Sequence, residues 1–212
     1  MVDTWKFDKS VAQTFVSHAE QHIPHYRSVL EKSLMVCQKF ANPDDAIIDI
    51  GCATGETLKL LHHAGFCNLF GIDSSQSMLD QCPTDIAIVR CSDHLAWPPN
   101  FFQVILCNWT LHFVPNKQQY LHSMAKCLAP GGVMIISDKH TLDPTMIEFY
   151  HEFKRKQGVS QEEIDIKEQS VQGIMYVDEP AWYQQQFDLL KLQHRIIDAD
   201  WAFISFMVQK PL

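Results

Sequence analysis

Several features are missing from this 212-residue chain, and each absence removes a class of function. None of its seven cysteines (37, 52, 67, 82, 91, 107 and 127) is spaced Cys-x-x-Cys from another, so the chain lacks the ligand spacing of a structural zinc site and no metal is expected. An odd count, mostly in apolar segments, reads as reduced intracellular thiols. No apolar run is long enough to span a bilayer, and the opening residues have no signal-peptide shape. A cytoplasmic location is therefore expected. Basic residues are few, 17 Lys and Arg against 25 Asp and Glu, for a net charge of −8. That disfavours a broad polyanion-binding face, so nucleic acid is not the expected partner. The basic cluster at 151–156, His-Glu-Phe-Lys-Arg-Lys, reads as a solvated helix face. There is no linker rich in Pro, Gly or Ser, no repeat and no low-complexity tract, so residues 1–212 are expected to form one domain.

Two glycine motifs are also absent. No Gly-x-Gly-x-x-Gly run occurs, and no glycine loop ends in Lys-Ser or Lys-Thr. A pyrophosphate ligand is disfavoured on that ground.

What is present is an alternation of apolar strands with helices. Helices are predicted at 11–19 and 26–40, the second with apolar residues at helical spacing. From residue 46 the pattern changes. Strands are predicted at 46–50, 69–72, 86–91, 102–107 and 133–137, with helices at 56–64, 75–82 and 117–128 between them. Further helices follow at 146–158, 162–172 and 181–190. Two last strands, 192–197 and 202–208, flank a short acidic turn, Asp198-Ala199-Asp200. The expected fold is α/β: a mostly parallel Rossmann-like sheet with helices on both faces, a closing antiparallel hairpin and extra N-terminal helices. Residues 1–44 are expected to act as a helical lid and 138–190 as a helical insertion.

In an open α/β sheet the ligand sits beyond the carboxyl ends of the strands. There the chain reads Asp49-Ile50-Gly51-Cys52-Ala53-Thr54-Gly55, and glycine lets backbone approach a ligand closely. Asp73 ends the second strand and can accept from two vicinal ribose hydroxyls, because an ionised carboxylate only accepts. It can equally cap the following helix. Asp49 suits the loop amides or a cationic group. Asp93 suits an exocyclic amine, or is a turn residue. Three acids at three successive strand ends share one rim, which favours a nucleoside without phosphates.

These residues resemble the class I S-adenosylmethionine-dependent methyltransferases. Residues 49–55 match the acid-x-Gly-Cys-Gly-Thr-Gly motif, with Ala53 at one glycine position. Asp73 matches the ribose acid, Ser92-Asp93-His94 the adenine-side segment, 108–113 the segment lining the methyl-transfer face, and 128–132 the turn before strand 5. A narrower resemblance, to the carboxy-S-adenosylmethionine synthase family of tRNA wobble-uridine modification, runs almost end to end. Its matching stretches are 5–8, 23–26, 108–113 and 151–164.

The resemblance implies S-adenosyl-L-methionine as cofactor and S-adenosyl-L-homocysteine as product. It implies cofactor contacts at Tyr26, Asp49, Gly51, Cys52, Ala53, Gly55, Asp73, Ser74, Met78, Ser92, Asp93, His94, Asn108 and Trp109, and a homodimer. In that narrower family an arginine holds the cofactor's extra carboxylate. Here Gln186 falls at that position and cannot neutralise one. A methyltransferase with a small-molecule acceptor is thus the leading expectation. Carboxy-S-adenosylmethionine synthesis, and a cofactor-binding protein without turnover, are the alternatives. In-line displacement at an activated sulfonium needs mainly alignment, so no base is obligatory. His112 and Tyr26 are the catalytic candidates: His112 as a base, Tyr26 as part of the lid. Trp109, Phe149, Trp182 and Tyr183 read either as walls of an acceptor pocket or as core.

Overall fold

The computed structural model describes residues 3–83, 85–92 and 95–212. Two helices, α1 (Lys9–His22) and α2 (Tyr26–Phe40), precede the sheet. Asp8 starts α1 by accepting from the Ser10 and Val11 amides. Then follow β1 (Ile47–Ile50), α3 (Glu56–His63), β2 (Leu69–Asp73), α4 (Gln76–Leu79), β3 (Ile88–Cys91), β4 (Phe102–Asn108), α5 (Lys117–Cys127) and β5 (Leu128–Lys139). Three helices, α6 (Pro144–Lys156), α7 (Gln161–Ser170) and α8 (Pro180–Leu189), lead to β6 (Gln193–Asp200) and β7 (Phe203–Gln209). The strands form one seven-stranded sheet in the order β3-β2-β1-β4-β5-β7-β6. β7 runs antiparallel to both of its neighbours, and the pairs from β3 through to β5 are parallel. This is the expected mostly parallel sheet with its antiparallel hairpin.

The central strands are apolar on both faces, and alternate residues feed two cores. Ile48, Ile50, Ile105 and Ile136 pack with Leu121 and Met124 of α5 and Tyr183 and Phe187 of α8. Ile47, Val104, Leu106 and Ile135 pack with Leu58 and Leu61 of α3 and Cys37 of α2. A one-residue slip in any of these strands would exchange the two sets. The sheet order reverses at β1, which places the rim above β1, β2 and β4 at the switch point where α/β ligands bind.

Three local expectations are corrected. The helix expected at 75–82 is one turn, Gln76–Leu79: Pro83 disfavours helical geometry at Cys82. Asp198 and Asp200 lie in β6, not in a turn, and the chain reverses at Trp201-Ala202. The acids are tolerated there because His25 and Lys32 of the N-terminal region pair with them. Leu128-Ala129-Pro130-Gly131-Gly132 is the irregular start of β5 rather than a free turn. The register passes from Phe102↔Leu128 to Val104↔Val133, so a longer stretch of β5 is accommodated opposite β4.

Candidate functional site

Above the carboxyl ends of β1, β2 and β4 opens a cavity of about 770 Å³. Its floor is the turn after β1. Gly51 sits at φ +72°, and a Cβ there would lie 2.0 Å from the Thr110 hydroxyl, so both conformation and space require glycine. The Gly51 and Cys52 amides donate to the Ile72 carbonyl at 2.8 and 3.0 Å, which fastens the turn to β2. Ala53 also has positive φ, +46°. Its amide donates to Asp73 Oδ2 at 3.0 Å, and the Ser75 amide donates to Asp73 Oδ1 at 2.8 Å. Asp73 therefore clamps the turn with one oxygen and the start of α4 with the other. Each oxygen retains acceptor capacity.

Burial pushes the Asp73 carboxyl above its usual range, and the two amides pull it back. Asp49 is more perturbed. It is 3% exposed, and desolvation raises its carboxyl to about 7 against a hydrogen bond from Thr57. A cation beside it would favour the ionised form. Asn108 is buried with Nδ2 on the Ser33 hydroxyl at 3.4 Å, while its Oδ1 has no partner. An orphaned buried acceptor is costly until a donor meets it.

Tyr26, Asp49, Gly51, Cys52, Ala53, Asp73, Ser74, Ser92, Asn108, Trp109 and His112 all line this cavity. Gly55 does not: it is the left-handed residue capping α3, with Cys82 and Pro83 packed where a side chain would be. Met78 is fully buried behind the wall, against Ala12 and Ala53. Asp93 and His94 lie outside the described residues.

His112 is held tightly. Asp138 accepts from its amide at 3.1 Å and from its Nδ1, and also from the Tyr183 hydroxyl. A carboxylate at Nδ1 fixes the proton there and leaves the lone pair on Nε2. Tyr26 stacks on Trp109 with ring centroids 4.9 Å apart. Of the other aromatic candidates, Tyr183 is core, Trp182 packs beside it, and Phe149 faces outward against Trp201. None of these three lines the cavity. Gln186 is buried on α8 and is also absent from the wall.

The far end of the cavity was not legible in the sequence. Trp5, His18, His22, Lys139, Tyr150, Lys154, Lys167 and Glu168 line it. The 151–156 cluster is thus only partly a solvated face. Lys154 is 2% exposed and turned inward, while Arg155 and Lys156 pair with Glu152 outside. The one signal available was its place one turn after Tyr150, on the buried side of α6. The N-terminal segment spans the two ends: the Trp5 amide donates to the Ser170 carbonyl at 2.8 Å, and the Ser75 hydroxyl donates to the Phe7 carbonyl.

Among the described residues no helix is long and apolar enough to cross a membrane, and no cluster of ligating side chains could hold a metal ion. Residues 48–136 match a methyltransferase domain family model. A carboxy-S-adenosyl-L-methionine synthase from Erwinia tasmaniensis is 26% identical over 208 residues, covering 90% of this chain and 85% of the relative. Among solved structures, the plantazolicin methyltransferase BpumL superposes with TM-score 0.69 at 15% identity, covering 96% of this chain and 95% of that one. An S-adenosylmethionine-dependent methyltransferase from Mesorhizobium loti gives TM-score 0.63 at 13% identity, covering 85% of this chain and all of the other. A glycine turn clamped by a strand-end acid, an orphaned acceptor on β4 and these likenesses converge: the chain carries a methyltransferase domain of the class I fold and is an S-adenosylmethionine-dependent transferase.

Proposed function

We propose that this protein transfers a methyl group from S-adenosylmethionine to a small-molecule acceptor held beneath the N-terminal helices. The observation that carries this reading is one continuous cavity that joins the Asp73 clamp to an aromatic-walled far end. Its volume of about 770 Å³ falls within the ~300–1,000 Å³ range of small-molecule sites, and it is walled by both the sheet rim and the N-terminal segment. In this reading Asp73 accepts from the ribose hydroxyls, and Asp49 and the Asn108 Oδ1 meet the cationic amino-acid end. Gly51, Cys52 and Ala53 give close backbone approach. Ser74 and Ser92 flank the base, the side to which the resemblance also assigns Asp93 and His94, and Trp109 and Tyr26 separate the cofactor from the acceptor. The cofactor supplies an activated methyl group, and the chain supplies alignment and exclusion of water. His112, with Nε2 unprotonated, is the group available to take a proton from an acceptor. Residues 1–44 serve as the lid, 138–190 as the acceptor-side insertion, and the chain works in the cytoplasm as a homodimer, as the narrower resemblance implies.

A second reading is carboxy-S-adenosylmethionine synthesis. The likeness to such a synthase over 90% of the chain favours it, and Gln186, buried away from the cavity, weighs against it. Mass spectrometry of the ligand released from freshly purified protein separates the two. S-adenosylmethionine or S-adenosylhomocysteine supports the methyltransferase. Carboxy-S-adenosylmethionine overturns it in favour of the synthase. If supplied S-adenosylmethionine fails to bind, neither stands.

A further inference from the structure

Three lysines from three elements converge on the far end of the cavity: Lys139 ends β5, Lys154 lies on α6 and Lys167 on α7. Their counter-charge is thin. Glu168 accepts from Lys154 at 3.3 Å and from His151 at 2.5 Å, so its carboxylate is already shared. Among the described residues, Lys139 and Lys167 have no carboxylate within ion-pair distance. They rest on aromatic faces instead: the Lys139 Nζ is 5.3 Å from the Tyr150 ring centroid, and Lys167 lies over Trp5. The Lys154 Nζ lies over the same ring, 4.2 Å from its centroid. The two histidines beside them, His18 and His22, stack on one another at 4.0 Å. Burial holds both rings neutral at ordinary pH, at about 3 and about 4.

An ion pair that served only to hold α6 to α7 would need one lysine for Glu168. Three amines drawn together on one cavity wall, Lys154 buried and Lys139 and Lys167 partly so, are costly to hold protonated unless an anion joins them. Desolvation and mutual repulsion lower Lys139 to about 8 and Lys167 to about 6. The wall between this end and the cofactor rim is apolar. Tyr150, Phe203, Ile23 and Trp109 belong to one packed cluster.

We propose that Lys139, Lys154 and Lys167 form an anion subsite that takes the carboxylate or phosphate of the methyl acceptor, with the acceptor's apolar body lying against Tyr150 and Trp109. The assignment rests on the methyltransferase reading for the word acceptor, and on the lysine geometry alone for the anion. It names the substrate class as an acidic small molecule.

The test is calorimetry on the full chain saturated with S-adenosylhomocysteine, using 3-phenylpropanoate, phenyl phosphate and the neutral 3-phenylpropanamide as probes. At pH 6 at least one acid is expected to bind on the order of tenfold more tightly than the amide, a charge-assisted preference. Which acid wins tells carboxylate from phosphate. The K139M/K167M variant should reduce that preference to less than about threefold while leaving S-adenosylhomocysteine affinity unchanged, and should melt close to wild type because neither lysine has a carboxylate partner to lose. The single K167M variant, which leaves both Glu168 ion pairs in place, gives the same comparison if the double variant does not fold. Acids that bind no better than the amide, or not at all at millimolar concentration, overturn the subsite. So does a preference that survives both substitutions. Failure of the wild-type chain to bind S-adenosylhomocysteine, with the acid preference intact, would instead overturn the cofactor reading.

Discussion

Replacing Asp73 with alanine is the sharpest test of the cofactor rim, because the carboxylate has two separable duties. Within the protein it accepts from the Ala53 and Ser75 amides at 3.0 and 2.8 Å. Removing it orphans two donors, at a cost of ~1–3 kcal/mol each, but it also removes a carboxylate that burial already disfavours. The net loss of stability should be about 2 kcal/mol, enough to lower a denaturation midpoint without unfolding the chain. Toward the ligand, the loss is two charge-assisted hydrogen bonds to the ribose. After water fills the vacated space this should amount to ~2–4 kcal/mol, or roughly 30- to 900-fold in S-adenosylmethionine affinity. Asparagine should rescue little, since its amide would confront one of the two backbone N–H groups. Chemical denaturation and calorimetry read the two duties separately. Adenosine against 2′,3′-dideoxyadenosine supplies the internal control: wild type should distinguish them and the alanine variant should not. A folded variant that binds S-adenosylmethionine within about threefold of wild type, or that still discriminates the two nucleosides, would refute the reasoning.

Other outcomes follow from neighbouring residues. Asp49 ionises at about 7 in the fold but near 3.8 when unfolded, so between those values unfolding releases a proton and stability falls as pH rises. D49N should abolish that component, gaining on wild type by up to about 4 kcal/mol between pH 4 and pH 8, at about 1.4 kcal/mol per unit; parallel pH–stability curves would disprove it. A53G should relieve the left-handed strain at φ +46°, changing stability by less than about 1 kcal/mol in either direction, whereas a larger loss would mean the Ala53 methyl is needed for packing. Q186R, which the synthase resemblance invites, would place a guanidinium at a position 7% exposed on α8, and should lower the melting temperature without gain in affinity for a carboxylated cofactor.

The sheet was readable because its signals are local. Residues 47–50 and 102–108 are short, mostly apolar runs, interrupted by Asp49 and Gln103 and ending at glycine or amide, and their apolar residues divide between the two cores. The sheet-rim end of the candidate site was readable for the same reason: strand ends are fixed by the strands, so Asp49, Asp73 and Asn108 had to share one rim of the cavity. The lysine-lined end was not, because its parts come from residue 5 to residue 168 on elements with no common motif. A lysine in a charged run such as 151–156 carries no mark of which way it faces. Asp198 and Asp200 misled in the opposite sense. They read as turn residues until partners far off in sequence, His25 and Lys32 of the N-terminal region, account for their charge inside a strand.

The tethered stretch from Trp5 to Phe7 acts as a caliper. Its backbone is bonded to α7 at one end and to Ser75, at the start of α4, at the other. Three residues reach about 10 Å at full extension. While both bonds hold, the cofactor-side and lysine-side walls cannot draw further apart than that at this point, so the first residues of the chain set the gauge of what fits between them. Cleavage that loosens this stretch would remove that limit on the cavity's width while leaving the sheet untouched.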